Sequence, residues 1–434
     1  MEERLTAVAL DDALLAREAW LERSSRRWSS LLFGAALAFV ALLYSNPQYW
    51  WPVFERFRLA FVSMAVGAGA LVVHRVISGE RMHLGLPLTV PLLAYLAFIP
   101  LSLAWTVSRP DTTLATVEAA KMVVVLVVVL NALDRPRRLR AFLLVAALAS
   151  LGPALGGLHV WRTGDALVEG FRTHWRGLYG DPNRLAMSLV AVLPFGLYGF
   201  ATARRRGWRL LFAGVAAAQV AAIVLTHSRS GAVAAALAVA LGIFRGGTLS
   251  PAGKAVAVGA IAAGLLAFAP ATFWERSRTI AAYETDASVA GRENAWKVLS
   301  VIARERPLSG VGAGAFLHAW SRYAPLEAGG RRYVAHNILF EIVGDLGVLA
   351  FGLFAAFVLG LLGLTWRAGR DPLVGPEARA VFAGLAGYLV MEMVNGYSLS
   401  WFLYFLFACA LASVRIARRR AALGAEAPAW AAAR

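Results

Sequence analysis

Along this chain, apolar runs near the length needed to cross a lipid bilayer alternate with short polar stretches, and the pattern continues into the C-terminal region. A helix rises ~1.5 Å per residue, so ~20 apolar residues cover a ~30 Å hydrocarbon layer. Twelve windows fit that requirement, at 28–44, 57–77, 86–105, 113–132, 139–160, 184–203, 208–226, 230–245, 254–270, 337–365, 378–395 and 400–415. The predicted fold is an all-α polytopic membrane protein with about twelve transmembrane helices. Two connections stand out by length, 161–183 and 271–336. The chain is therefore expected to divide into an interfacial segment 1–27, spans one to nine over 28–270, a large helical loop 271–336, spans ten to twelve over 337–415 and a tail 416–434.

Charge tests this count, because a missed span would scramble the distribution of Lys and Arg between loops. Clusters follow span four (Arg135, Arg137, Arg138, Arg140), span six (Arg204, Arg205, Arg206, Arg209), span ten (Arg367, Arg370, Arg379) and span twelve (Arg415, Arg418, Arg419, Arg420). Every even-numbered exit is basic, which predicts cytoplasmic termini and places 161–183 and 271–336 on the opposite side. The segment before span one mixes Glu2, Glu3, Asp11, Asp12, Glu18 and Glu22 with Arg23, Arg26 and Arg27; it reads as an interfacial helix leading into an uncleaved first span, not as a signal peptide.

The 434 residues are 59% hydrophobic and 16% charged, which excludes a soluble domain. A net charge of +17, from 43 Lys and Arg against 26 Asp and Glu, would ordinarily suggest nucleic acid. The loop distribution assigns much of it to topology and anionic lipid instead. One cysteine, Cys409, excludes an intramolecular disulfide or a cysteine-based metal site.

Chemistry is expected in the two long segments, since a helix bundle itself needs only short connections. The first carries Arg162, Arg172, His174 and Arg176 and ends in Asp181-Pro182-Asn183, a helix start with Asp181 as its cap. Between spans seven and eight, Thr226-His227-Ser228-Arg229-Ser230-Gly231 leaves almost no loop, so Arg229 sits at or inside the membrane boundary. An arginine at a helix centre costs about 2.5–3.5 kcal/mol on insertion and is matched by a partner or ligand, unless it snorkels from a span end. The second segment holds Gly291-Arg292-Glu293-Asn294 in a helical stretch running to about Arg304. Its glycine-rich stretch, 308–316, lacks the Lys and Ser/Thr of a phosphate loop and reads as packing or turn residues. His336-Asn337 opens span ten; a histidine there either takes a proton from a hydroxyl or caps a helix. Glu341 and Asp345 follow, four apart on one face, where buried carboxylates are functional or partnered. Glu118 and Lys121 read as a self-neutralising structural pair. The seven histidines show neither HxxxH nor HExxH spacing, so a site of arginines and a general base, without metal or cofactor, is expected.

Three stretches, GDPNRLAMSL (180–189), THSRSGAVAA (226–235) and AHNILFEIVGDLGVLAFGLF (335–354), with GREN at 291–294, resemble the O-antigen ligase and polymerase superfamily. That resemblance covers most of 110–415 as architecture and implies a GT-C-like membrane glycosyltransferase of the bacterial inner membrane, with its active site facing the periplasm. It implies metal-independent, inverting transfer of a glycan from undecaprenyl pyrophosphate to a sugar hydroxyl of the lipid A-core. Within that likeness, Arg229 and Arg292 correspond to the essential arginines, His336 to the general base and Arg176 to a further pyrophosphate ligand, with Asn183 and Asn337 beside them as substrate-binding candidates. Membrane lipids are the expected surroundings and nucleic acid is not a partner. The same residues would serve a polysaccharide polymerase or a protein O-oligosaccharyltransferase, which differ in acceptor. A secondary transporter is the alternative from another class, through Glu341, Asp345 and Glu392, although no paired broken spans accompany them.

Overall fold

The computed structural model describes residues 2–85, 87–245, 287–325 and 332–425. The principal helices among them are α1 (Glu2–Ser45), α2 (Leu59–Ser78), α3 (Val90–Leu101), α4 (Arg109–Ala132), α5 (Pro136–Ala149), α6 (Leu151–Thr163), α7 (Pro182–Thr202), α8 (Arg206–Leu225), α9 (Arg229–Arg245), α10 (Ala287–Glu305), α11 (Phe316–Tyr323), α12 (Ile338–Ala368), α13 (Gly375–Asn395) and α14 (Trp401–Ala425). No strand occurs among the described residues, and eight helical stretches are long and apolar enough to cross a membrane. Shorter apolar helices run over Val90–Ala104 and Arg229–Gly242. This is an all-α polytopic membrane fold. Span nine, at 254–270, and residues 271–286 and 326–331 of the large loop lie outside the described residues.

Each remaining apolar window is helical, with one refinement: 139–160 is two helices, α5 and α6, meeting at Ser150. The Ser150 hydroxyl donates to Ala147 O at 2.7 Å and accepts from Gln219 Nε2 at 2.7 Å, so a side chain of α8 satisfies the joint. Neutral polar groups in an apolar bundle are matched in this way because no water is available to them.

At the centre lies α7, buried along most of its length and packed against α8, α9 and α13. Small residues permit the approach: a Cβ on Gly387 would fall 2.8 Å from Val190 Cγ1, and Gly384 rests against the Ala191 carbonyl. Away from the starts of α7 and α12, fully buried Glu377 accepts from Tyr198 Oη at 2.5 Å and pairs with Arg140 Nη2 at 2.9 Å, tying α13, α7 and α5 together.

The least regular feature is a break in α12. Gly347 has φ 82° and ψ 177°, outside any helix. An unbroken helix would bond Val348 N to Gly344 O, and Asp345 O to the amide four residues on. Here Val348 N donates to Pro307 O at 2.8 Å, Gly344 O accepts from Val311 N at 2.9 Å, and Asp345 O accepts from Gly312 N at 2.8 Å. The glycine-rich stretch thus replaces the missing helix bonds. Its glycines are there for space: Gly310 lies against the Asp345 backbone, Gly312 against Thr106, and all of Gly310, Gly312 and Gly314 have positive φ. An alanine at 347 would need an unfavourable φ and would collide with the Leu308 backbone. Gly347→Ala is expected to cost about 2 kcal/mol or more, read as a lower thermal midpoint in detergent, while Gly352→Ala, with open space around it, leaves the midpoint in place.

Candidate active site

His336, before α12, lies within electrostatic reach of Arg292 on α10 and of the first turn of α7, which is in turn bonded to the start of α9 through Asn183 and Ser228. Asp181 caps α7, its Oδ1 accepting from Asn183 N at 2.8 Å and Arg184 N at 3.1 Å. Asn183 Oδ1 then takes two donors, Ser228 Oγ at 2.8 Å and Arg172 Nη2 at 3.1 Å. Arg172 is buried, donates through Nε to Thr226 O at 3.0 Å and pairs with Glu169 at 3.2 Å. Thr173 N bonds Leu225 O at 3.0 Å. The 161–183 segment is thereby fastened to the α8–α9 reversal, which sets Arg229 at the first position of α9, partly buried. That reversal is tight: His227 is buried at φ 50°, and its Nδ1 donates to Leu225 O at 2.9 Å, which fixes the proton on that nitrogen. Gly231 lets α9 meet α7, since a Cβ there would stand 2.8 Å from Ala186 Cβ.

His336 precedes α12 and also has φ 50°. Histidine tolerates the left-handed region better than most side chains, yet such a conformation persists only where its surroundings enforce it. Asn337 supplies the enforcement. Its Oδ1 caps α12 through Leu339 N at 2.9 Å and Phe340 N at 3.2 Å, and its Nδ2 donates to Met393 O at 3.0 Å. Both polar ends of Asn337 therefore have protein partners, and its place in the site is to hold the turn that aims His336.

Half-buried, the His336 imidazole makes no hydrogen bond or ion pair among the described residues. Burial lowers its pKa below 6.5, the positive charges of Arg292 and Arg184 lower it further, and Asp181 opposes them. Arg292 is in place because α10 seats on α12 and on the segment before it. A Cβ on Gly291 would meet the Tyr333 ring at 2.7 Å, Trp296 meets Phe340 edge-on at 5.3 Å, and Leu299 fills the gap over Gly344.

Arg176 goes elsewhere. Exposed, it donates to Tyr49 O at 3.0 Å and lies over the Trp175 ring at 5.4 Å. His336 and Arg292 are within electrostatic reach of one another, Asn183 joins the same junction through Asp181 and Ser228, and Arg176 is on its flank. Arg184 was not singled out from the sequence. It is exposed beside Tyr397, 5.7 Å from the ring, in the first turn of α7 where a cation opposes the helix dipole.

Residues 214–355 match the family model described as O-antigen ligase. None of the curated proteins compared matches the chain. The O-antigen ligase match runs from α8 through the break in α12, and so contains Arg229, Arg292, His336 and Asn337 but ends outside α7 with Asn183 and Arg184. It supports the O-antigen ligase and polymerase superfamily, whose members are membrane glycosyltransferase-like enzymes working on lipid-linked glycans.

The carboxylates behave differently from the arginines. A second cavity of about 210 Å³ is lined by Asp111, Glu118, Glu341 and Asp345. Glu341 Oε1 accepts from Ser398 N and Oγ at 3.1 and 2.8 Å, Asp345 Oδ2 from Gly314 N at 2.7 Å, and Glu392 Oε2 from Tyr397 N at 2.8 Å. Asp111 pairs with His318 at 2.5 Å, and Glu118 with Lys121 at 2.5 Å, the pair expected from their spacing. Glu341, Asp345 and Glu392 thus fasten loop amides to helices, while the Asp111 and Glu118 pairs join helix side chains. Among the described residues no three His, Cys, Asp or Glu side chains are grouped as metal ligands would be.

Two measurements check this geometry. Arg292→Gln should raise the His336 pKa toward 6.5, read from the imidazole shifts of histidine-labelled protein by NMR; an unchanged value would separate the two residues. Asn183→Ala leaves Arg172 and Ser228 without their shared acceptor, so a loss of about 1–3 kcal/mol is expected, seen as a lower thermal midpoint that Asn183→Asp largely restores.

Proposed function

We propose that the chain is an O-antigen ligase, moving a glycan from undecaprenyl pyrophosphate to a sugar hydroxyl of the lipid A-core. The observation that carries this reading is the imidazole of His336, without a hydrogen bond or ion pair among the described residues and with its pKa lowered by burial and by Arg292, near helix N-termini. Neutral imidazole accepts a proton; helix N-termini and arginines attract an anion. The combination suits a reaction in which a hydroxyl loses a proton while a pyrophosphate leaves.

The acceptor oxygen attacks the anomeric carbon opposite the departing group, its proton passes to His336, and the anomeric carbon–oxygen bond breaks with both electrons going to the pyrophosphate. Inversion follows from attack on the far side. Arg229 and Arg292 hold the pyrophosphate and stabilise its growing charge, with Arg184 beside them and Arg176 at the flank. Always charged and forked, arginine neutralises phosphate oxygens in pairs. Asn183 and Asn337 contribute by positioning, the first through Ser228, the second through the turn at His336. In this reading 1–27 and 416–434 are cytoplasmic, 271–336 is periplasmic, and transfer takes place at the outer face of the inner membrane; the basic even-numbered exits support that sidedness.

Purified protein supplied with lipid-linked donor and lipid A-core acceptor provides the test. His336→Ala is expected to lose 10²–10⁴-fold in turnover, a loss of about 3–5 kcal/mol of transition-state stabilisation. Arg229→Ala is expected to lose donor binding, with Arg229→Lys a poor substitute. Because the His336 pKa is lowered, the base form persists below pH 6.5, so the acid limb of the wild-type rate profile should lie below that value and move upward in Arg292→Gln. Full turnover in folded His336→Ala would sink the assignment of the base. In a deletion strain, uncapped core with polymer still present marks a ligase; loss of the polymer itself would mark a polymerase.

A further inference from the structure

A cavity of about 1140 Å³ lies away from the His336 junction. It lies among Ser25–Ser30 of α1, the end of α2, the loop after it, the ends of α4 and α5 that meet at Asp134 and Arg135, and the later turns of α14. On α1 it is centred near Ser29, 16 residues or ~24 Å from Ser45 at the other end of that helix. Its wall carries eight arginines and two carboxylates, Glu80 and Asp134.

Six of those arginines belong to helical stretches apolar enough to cross a membrane; Arg26, Arg418 and Arg419 are exposed there, while Arg75, Arg138 and Arg415 are partly buried. Charges in such stretches are expensive unless a counter-charge meets them. The wall is built to hold them in place. Asn131 Oδ1 accepts from Arg75 Nη2 and from His83 N, both at 3.0 Å; Arg138 Nη1 donates to Ser29 Oγ at 2.9 Å; Arg415 Nη2 donates to Leu133 O at 2.7 Å. Glu80 pairs with Arg75, and Asp134 with both Arg135 and Arg138. That exhausts the acids of the wall. Arg81, Arg418 and Arg419, exposed at the rim, make no ion pair or side-chain hydrogen bond among the described residues. Arg75 Nε and Arg415 Nη1 are buried without a partner, so the inner charge is under-compensated as well. Topology asks only for basic residues in a loop. It does not ask for a walled cavity with fixed guanidinium groups inside and free ones around the mouth.

We propose that this cavity binds a phosphate-bearing anion, as a site separate from the glycan-transfer junction. Arginine forks match phosphate oxygens, and basic pockets between membrane helices take phospholipid headgroups with more than one phosphate. The same chemistry is offered by a lipid headgroup and by soluble pyrophosphate.

Delipidated full-length protein in detergent distinguishes them. Native mass spectrometry should show at least a tenfold preference for cardiolipin over phosphatidylcholine. Arg81→Gln/Arg418→Gln/Arg419→Gln should bind cardiolipin at least fivefold more weakly, and single Arg418→Gln should weaken it measurably if the triple variant is not monodisperse. Displacement of bound cardiolipin by inorganic pyrophosphate assigns recognition to the headgroup phosphates. A thermal midpoint raised by pyrophosphate alone, with no cardiolipin preference, assigns the site to a soluble anion. His336→Ala should bind as the wild type does. No lipid preference together with no pyrophosphate effect, unchanged binding in the rim variants, or loss of binding in His336→Ala would each overturn the proposal.

Discussion

Most of the active-site geometry rests on one exchange of backbone hydrogen bonds, that between the break at Gly347 and the loop 307–312. Within a bilayer an unpaired carbonyl or amide has no water to turn to, so a helix is interrupted only where another part of the chain completes it. Here that other part is the segment following α10. The three bonds from Pro307, Val311 and Gly312 fix the end of α10 against α12, while Gly291 and Gly344 set the distance along its length. His336 immediately precedes one of those helices and Arg292 is on the other. Their mutual electrostatics follow from a register that the break imposes.

The α7 start provides the second constraint. Asn183 offers one carbonyl oxygen to a buried guanidinium and a serine hydroxyl, and by doing so ties the 161–183 segment to the reversal before α9. The N-termini of α7, α9 and α12 then face one region, each adding a partial positive charge to that of the arginines nearby. A histidine in such a field loses its proton easily. The same field would favour an anionic leaving group, so in the proposed reaction one arrangement would serve both the base and the phosphate. The carboxylates on the other face of α12 are kept out of this by bonds to Ser398 and Gly314.

Much of this was legible from spacing. Apolar windows located the described helices, because bilayer thickness dictates their length; Asp181 showed itself as a cap through Pro182; the run 308–316 declared itself a packing element by lacking the residues a phosphate loop needs. Arg184 and the joint at Ser150 were not legible, for different reasons. The joint is satisfied by Gln219, some seventy residues away, and leaves the apolar run unbroken. Arg184 owes its importance to the histidine it faces across the bundle, a relation with no local mark. Glu341, Asp345 and Glu392, which position alone allows as proton-coupling groups, accept hydrogen bonds from loop amides, and position on a helix face does not disclose the Ser398 amide opposite.

The basic excess of the chain can now be divided by what each arginine touches. Arg140 answers a buried glutamate and Arg172 an asparagine and a carbonyl, so these are internal supports. Arg135 and Arg138 share Asp134 at the end where topology rules would place positive charge. Two groups remain beyond those explanations: the arginines of the His336 junction, and the rim of the large cavity among α1, α2 and α14. They stand on different helices, and at the cavity Arg81, Arg418 and Arg419 make no ion pair among the described residues. An anion at one cannot offset charge at the other, because screening confines such fields to ~8 Å at physiological salt. The charge balance of the cavity is therefore its own, which is the physical reason for treating the proposed transfer site and the proposed anion cavity as two sites and not as one extended basic surface.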